Sequence, residues 1–335
     1  KAVVIGSGIA GLAASIRLVA QGYEVHVYEK SDKPGGKLGH FSEAGYQFDT
    51  GPSLFTQPHQ LEALLALVSE KLSDYFTYQK MPVSCHYFYE DGTVIHAAAD
   101  PELFAQEAHL KTGEPVSNIK NYLAASEKLY TRIGQVFLDH SLHKFSTLFK
   151  IPLMSALRAF KLPYVTRSMH KHNEKAFASK KLVQLFNRYA TYNGSNPYVA
   201  PSMLTLIAHL EHNEGSFYPS GGMISITNAL VAVAKKHGVQ FHFNSPVQKI
   251  TTSNNKVTGV VVNDAAVPAD LVVSNADVYF TYLNLLGEPS KAQHILKQER
   301  SSSALIFYWG IKKDFPQLSL HNIFFTENYE AEFAH

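Results

Sequence analysis

The sequence is poor in cysteine: Cys85 is the only one in 335 residues. No disulfide can form within the chain and no thiolate cage for zinc can be assembled, which favours a cytosolic compartment. Cys85 sits in an alternating stretch and reads as a strand residue. Long apolar runs are missing as well. Stretches such as Ala304-Leu305-Ile306-Phe307-Tyr308-Trp309 fall far short of the roughly 18 residues a membrane-spanning helix needs, so no transmembrane span is expected. The first residues form a β-prone run and do not read as a signal peptide. No His-Glu-x-x-His, Cys-x-x-Cys or Gly-x-Ser-x-Gly motif occurs, which removes the usual zinc-hydrolase and serine-hydrolase signatures. Among 17 histidines the best-spaced pair is His209-x-x-His212, on one helical face, but it lacks a third ligand and a general base, so no metal site is expected.

What is present begins at the N-terminus. Ala2-Val3-Val4-Ile5 leads into Gly6-x-Gly8-x-x-Gly11, and Leu12, Ala13, Ile16 and Leu18 then recur at helical spacing, so the glycines stand at a strand-to-helix turn. Gly6 permits the turn, Gly8 lets backbone approach a pyrophosphate, and Gly11 lets the helix pack on its strand. The helix N-terminus offers its N–H groups to phosphate. A second strand, Glu24-Val25-His26-Val27-Tyr28, ends in Glu29, 21 residues beyond Gly8, where a dinucleotide fold places the carboxylate that accepts from ribose hydroxyls.

Further residues follow closely: Lys30, then Pro34-Gly35-Gly36-Lys37, and Phe48-Asp49-Thr50-Gly51-Pro52-Ser53. With the glycine turn they resemble the flavin amine-oxidase superfamily, and within it the carotenoid desaturases of the bacterial phytoene desaturase type. The stretch Gly51 to Pro58 looks closer to the hydroxycarotenoid 3,4-desaturase branch. The resemblance runs through Ser274-Asn275-Ala276 and on to His321-Asn322-Ile323-Phe324-Phe325. It implies FAD as cofactor, held by Gly6, Gly8, Gly11, Glu29, Lys30, Gly35, Gly36, Lys37, Gly51, Pro52, Ser53, Asn275 and Ala276, with Val247 meeting the adenine. Ordinary sheet core is the competing reading of Val247. Bacterial members carry an Asp-x-x-Arg in their helical insert. Here the like position reads Ser155-Ala156-Leu157-Arg158, which carries over only Arg158 as a catalytic candidate and leaves no acid there.

The expected fold class is α/β: a Rossmann-like FAD-binding domain of amine-oxidase type, discontinuous over residues 1–75 and 205–280. A mainly helical substrate and membrane-associated domain is inserted at 76–204 and 281–335. Pro58 suits the start of a helix from about His59 to Ser69. Val83 to Tyr89 and Thr93 to His96, joined at Asp91-Gly92, read as a hairpin. A second hairpin turns at Asn254-Asn255. The chain starts without methionine, and members of the resembled family run on beyond a position like 335 with a last glycine-rich FAD-contacting motif. The ends are therefore expected to be those of part of a longer chain.

Formal net charge is only +2, but residues 141–181 hold nine Lys/Arg against one acid, Glu174, a local +8 that leaves −6 for the remainder. Leu153, Leu157 and Phe160 make one stripe in this segment, with Arg158 and Lys161 beside it. Nucleic acid is not an expected partner, since neither stacking aromatics on a sheet nor a known module accompanies the charge. A basic amphipathic segment, 141–181, against an anionic lipid surface fits better and is the expected partner contact, with a solvated helical face as the competing reading.

The residues alone lead to an FAD oxidoreductase. The resemblance implies removal of two hydrogens from a C–C single bond of a carotenoid drawn from the bilayer, by an enzyme that is cytoplasmic and peripherally membrane-associated. Phytoene is the alternative substrate. A flavin amine oxidase, or an FAD-bound polyene isomerase or carrier without net redox chemistry, is the alternative of another class.

Overall fold

A computed structural model of the chain describes residues 1–134, 163–298 and 300–333. Arg158, Ser155, and the 141–162 part of the basic segment lie outside the described residues. The described chain divides into two compact units, residues 1–79 with 217–300, and residues 80–216 with 301–335.

The first unit is built on a parallel sheet. Its strand order is Leu271–Ser274, Ala2–Ile5, Val25–Tyr28, Gln240–His242, with Ala2 opposite both Leu271 and Val25. Ala2–Ile5 and Val25–Tyr28 are buried at every position. A strand covered on both faces needs apolar side chains throughout rather than alternation, which is why Ala-Val-Val-Ile forms the centre. The helix Ile9–Ala20 turns Leu12 and Ile16 into the same core as Leu230 and Val233 from the helix Ile224–Lys236. The helix Pro58–Ala66 has its proline at the first turn, where the missing N–H costs nothing. A three-stranded antiparallel sheet, Val247–Ser253, Lys256–Val262 and Ala265–Pro268, completes this unit. Both of its turns use consecutive left-handed residues, Asn254-Asn255 and Asn263-Asp264, the backbone that a tight hairpin demands.

The second unit places helices on a three-stranded sheet ordered Asn322–Phe325, Val83–Tyr89, Val94–Ala98. The turn between the last two strands is held by Thr93 N–H donating to Asp91 Oδ1 at 3.0 Å. Tyr87, Ile95, Phe104, Ile119 and Phe186 form its buried centre, contributed by the sheet and the helices Pro101–Thr112, Val116–Leu129 and Lys180–Asn187. Residues 303–311 form neither helix nor strand, and Leu305, Phe307 and Trp309 are 82%, 67% and 73% exposed.

The seams between units differ from the expected 75/76, 204/205 and 280/281. They fall at 79/80, 216/217 and 300/301. The segment 205–216 buries Ala208 in the second unit's core, and Glu211 bonds there to Arg188. The segment 281–300 belongs to the first unit because Leu285 packs with Val3 and Ile5 and Thr281 bonds Ser274 at 2.9 Å.

Candidate functional site

The first unit contains a cleft of about 1240 Å³ above the ends of the parallel strands. That is larger than the roughly 300–1,000 Å³ of ordinary ligand pockets and suits a ligand of dinucleotide size. Its position follows from topology, since open parallel sheets bind ligands beyond the carboxyl ends of their strands.

One wall is the glycine turn. Gly8 caps the helix Ile9–Ala20 in extended backbone, with no side chain capping the helix and no acid in its first turn. The first N–H groups of a helix lack internal partners, so this end attracts an anion. Gly36, at φ +58°, passes so close that a Cβ there would stand 3.3 Å from Gly8 Cα. A hydrogen bond of 3.0 Å from Gly35 N–H to the Ser7 carbonyl ties the two glycine loops together.

Glu29 closes this end. Ser7 N–H and Ser7 Oγ donate to Glu29 Oε2 at 2.7 and 2.8 Å, and Ser31 N–H donates to Oε1 at 2.9 Å. Burial acts to raise its pKa, but the donors from Ser7 and Ser31 outweigh it and hold the carboxyl below its usual value. Glu29 is thus an ionised acceptor fixed in place, and a carboxylate still has lone pairs for further donors.

Of the residues singled out in the sequence, Gly6, Gly8, Glu29, Lys30, Gly35, Gly36, Lys37, Pro52, Val247, Asn275 and Ala276 all line this one cleft. Gly11, Gly51 and Ser53 do not line it. A Cβ on Gly11 would lie 2.1 Å from the Gly6 carbonyl oxygen, and one on Gly51 would lie 2.2 Å from that of Lys37, so these two glycines serve close packing behind the wall. Asn275 N–H donates to the Ile5 carbonyl at 2.8 Å, which carries the Leu271–Ser274 strand to the glycine turn. Among the described residues no group of three or more His, Cys, Asp or Glu is placed to hold a metal ion. His212 Nε2 is 2.8 Å from Tyr189 OH, while His209 Nδ1 pairs with Asn213 Nδ2 at 2.8 Å.

Several lining residues escaped the sequence reading. Leu54, Phe55, Leu61 and Ile226 add an apolar wall, and Phe280 adds another ring; Met223, at the end of the Tyr218–Met223 element that the resemblance puts near the flavin, lines the same cleft. Asp49 Oδ2 accepts from Met223 N–H at 3.0 Å and so anchors the turn that presents Met223. The run of apolar residues after Gly51-Pro52 was the available signal for the first wall. No local signal pairs Asp49 with a residue 174 positions away.

The open glycine cradle, the uncapped helix end, the ionised Glu29 and the apolar remainder fit a dinucleotide with an aromatic head. Residues 9–301 match the family model described as "Flavin containing amine oxidoreductase". The chain is 49% identical over 335 residues to a 1-hydroxycarotenoid 3,4-desaturase of Flavobacterium sp. (strain P99-3), covering 99% of this chain and 68% of that protein. It is 33% identical to a 4,4'-diapolycopene oxygenase of Methylomonas sp, covering 99% of this chain and 67% of that protein. Among solved structures, a putrescine oxidase variant redesigned in its cofactor binding matches with a TM-score of 0.59 at 16% identity, over 86% of this chain and 60% of that one. The chain thus spans about two thirds of the curated relatives and less of that structure. The last likeness concerns the fold alone. With 293 consecutive positions under the family model and such identity along nearly all its length, this chain belongs to the flavin-containing amine oxidoreductases, and its cofactor is FAD.

Proposed function

We propose that the protein is an FAD-dependent carotenoid desaturase, which removes hydrogen from a C–C single bond of a polyene in carotenoid biosynthesis. The specific reaction we assign is 3,4-desaturation of a hydroxylated carotenoid. The observation that carries this reading is the 49% identity, over 335 residues, to a 1-hydroxycarotenoid 3,4-desaturase.

The site supports it. In this reading Gly8, Gly36 and the N-terminus of the helix Ile9–Ala20 receive the FAD pyrophosphate, with Lys30 and Lys37 adding positive charge along the same cleft. Glu29 accepts from the ribose hydroxyls, and Val247 adjoins the adenine. Bound FAD supplies the two-electron acceptor for dehydrogenation. The chain's own part is to bind, to orient and to exclude water, and Leu54, Phe55, Leu61, Met223 and Ile226 give the apolar surface that a hydrocarbon substrate needs.

Such a substrate resides in lipid, so the enzyme works at a membrane surface from the cytoplasmic side. No described helix is long and apolar enough to cross a membrane. The basic segment 141–181 is the attachment we assign, and in its described part Lys171, Lys175 and Lys180 are exposed.

The test is anaerobic mixing of the FAD-loaded protein with a 1-hydroxylated acyclic carotenoid in vesicles, followed by absorption. A red shift of the polyene band with loss of the oxidised-flavin band is expected. Flavin bleaching by an amine, with none by any carotenoid, would overturn the assignment in favour of an amine oxidase. Equal turnover of phytoene would replace the specific substrate while keeping the reaction.

A further inference from the structure

The second unit buries an ion pair that the cleft chemistry does not use. Arg188 Nη2 donates to Glu211 Oε2 at 3.0 Å and Oε1 at 3.2 Å, and their side chains are only 7% and 3% exposed. Glu211 is saturated: Ser84 Oγ donates at 3.0 Å, Tyr189 OH at 3.2 Å and Tyr192 OH at 2.7 Å. Arg188 is not. Its protein hydrogen bonds all run through Nη2, to Glu211 and to Tyr87 OH, and its buried Nε has no partner among the described residues. Three rings pack on the guanidinium, those of Tyr87, Tyr189 and Tyr192 at 5.2, 4.6 and 5.1 Å, but a buried donor without a partner still costs free energy.

Arg188 lines a separate cavity of about 360 Å³ within this unit. Ile323, Phe325 and Tyr329 form apolar walls, with the Phe325 ring stacked on Tyr87 at 5.8 Å. Tyr192 and Glu332 complete the part of the lining that matters here. We propose that this cavity is a binding site for the oxygen-bearing end of an apolar substrate, in which the guanidinium of Arg188 donates to a neutral hydroxyl or carbonyl oxygen. Neutrality follows from charge. Glu211 already compensates Arg188, and the carboxylate of Glu332 stands in the same lining, so a carboxylate or phosphate ligand would meet repulsion. The volume is at the lower end for ligand pockets, so it takes an end group rather than a whole polyene. The identity of the ligand as a hydroxylated carotenoid rests on the proposed function above.

Binding, measured apart from turnover, tests this. The full chain carries one tryptophan, Trp309, whose fluorescence a bound polyene would quench. Titration would use a 1-hydroxylated acyclic carotenoid and its counterpart of equal polyene length lacking the hydroxyl. A lost hydrogen bond to a charged group predicts a roughly ten- to hundredfold preference for the hydroxylated ligand. Arg188→Lys, which keeps the charge but loses the planar fork, should erase that preference and leave binding of the unhydroxylated ligand within about twofold. Ile323→Phe fills the cavity while leaving both members of the ion pair in place; it should weaken both ligands and bring them to a common affinity, so loss of the preference in this variant decides the matter if Arg188→Lys does not fold. Equal affinity of the wild type for the two ligands, binding of neither, or retained preference in the folded variants overturns the inference. Selective binding without dehydrogenation would instead sink the proposed function and leave the end-group site standing.

Discussion

Ser7 and Glu29 are joined twice, through the Ser7 amide at 2.7 Å and its hydroxyl at 2.8 Å, both on Glu29 Oε2. The glycine turn therefore also holds the carboxylate, and these two walls of the cleft are tied to one another.

Removal of that hydroxyl should be felt at the cofactor. Ser7→Ala keeps the amide donor and is expected to weaken FAD binding a few-fold, whereas Glu29→Ala removes the acceptor itself and should weaken it by about tenfold or more. Flavin fluorescence titration of apoprotein checks both. Equal affinity in Glu29→Ala and wild type would remove Glu29 from the cofactor site.

Gly11 makes a prediction about folding. A methyl there would meet the Gly6 carbonyl oxygen at 2.1 Å, and helix and strand would have to separate. Gly11→Ala should cost about 1–3 kcal/mol or more, the range for overpacking. A denaturant midpoint unchanged from wild type would contradict the packing described.

His212 gives the stability a pH dependence. Burial lowers its pKa to about 4, with Arg188 acting the same way and Glu211 opposing, against 6.5 for the free side chain. The unfolded chain then binds a proton that the folded chain refuses, so stability is complete above pH 6.5 and falls as pH drops from there toward 4. His212→Phe should remove roughly 1–2 kcal/mol of the loss between pH 7 and pH 5. Urea unfolding of both proteins at the two pH values measures it, and identical losses would sink the assignment. Glu211, held at about 2 by Arg188 and its hydroxyl donors despite burial, loses its contribution only below its ordinary value of 4.5, outside that window.

The buried pair makes a stability prediction with a built-in control. Glu211→Gln leaves Arg188 uncompensated and should cost about 3–5 kcal/mol, while Arg188→Met with Glu211→Leu should recover most of it. Equal destabilisation by the single and double variants would mean that the pair itself, rather than an orphaned charge, supports the fold.

What the sequence disclosed were features written within a few residues of one another. The turn from Ala2 to Gly11, the acid at the end of the next strand, the hairpin at Asp91-Gly92 and the one at Asn254-Asn255 each rest on local backbone chemistry. The Arg188 network was not legible, because Ser84 lies 127 positions from its partner Glu211 and no periodicity connects them. The unit seams were misplaced for a similar reason. The segment 205–216 forms a short irregular helix, and contacts distant in sequence, Ala208 in the second core and Glu211 on Arg188, assign it to the second unit.

The open run around Leu305, Phe307 and Trp309 bears on how the chain behaves in bulk. Seven residues from Leu305 to Ile311 combine branched and aromatic side chains with no charge, the composition of a nucleating segment for cross-β assembly. Lys312 and Lys313 at one flank act as gatekeepers by like-charge repulsion between stacked copies. Turbidity of the purified chain should therefore grow with protein concentration and with salt, which screens that repulsion. Phe307→Lys should suppress it while leaving the cofactor cleft untouched.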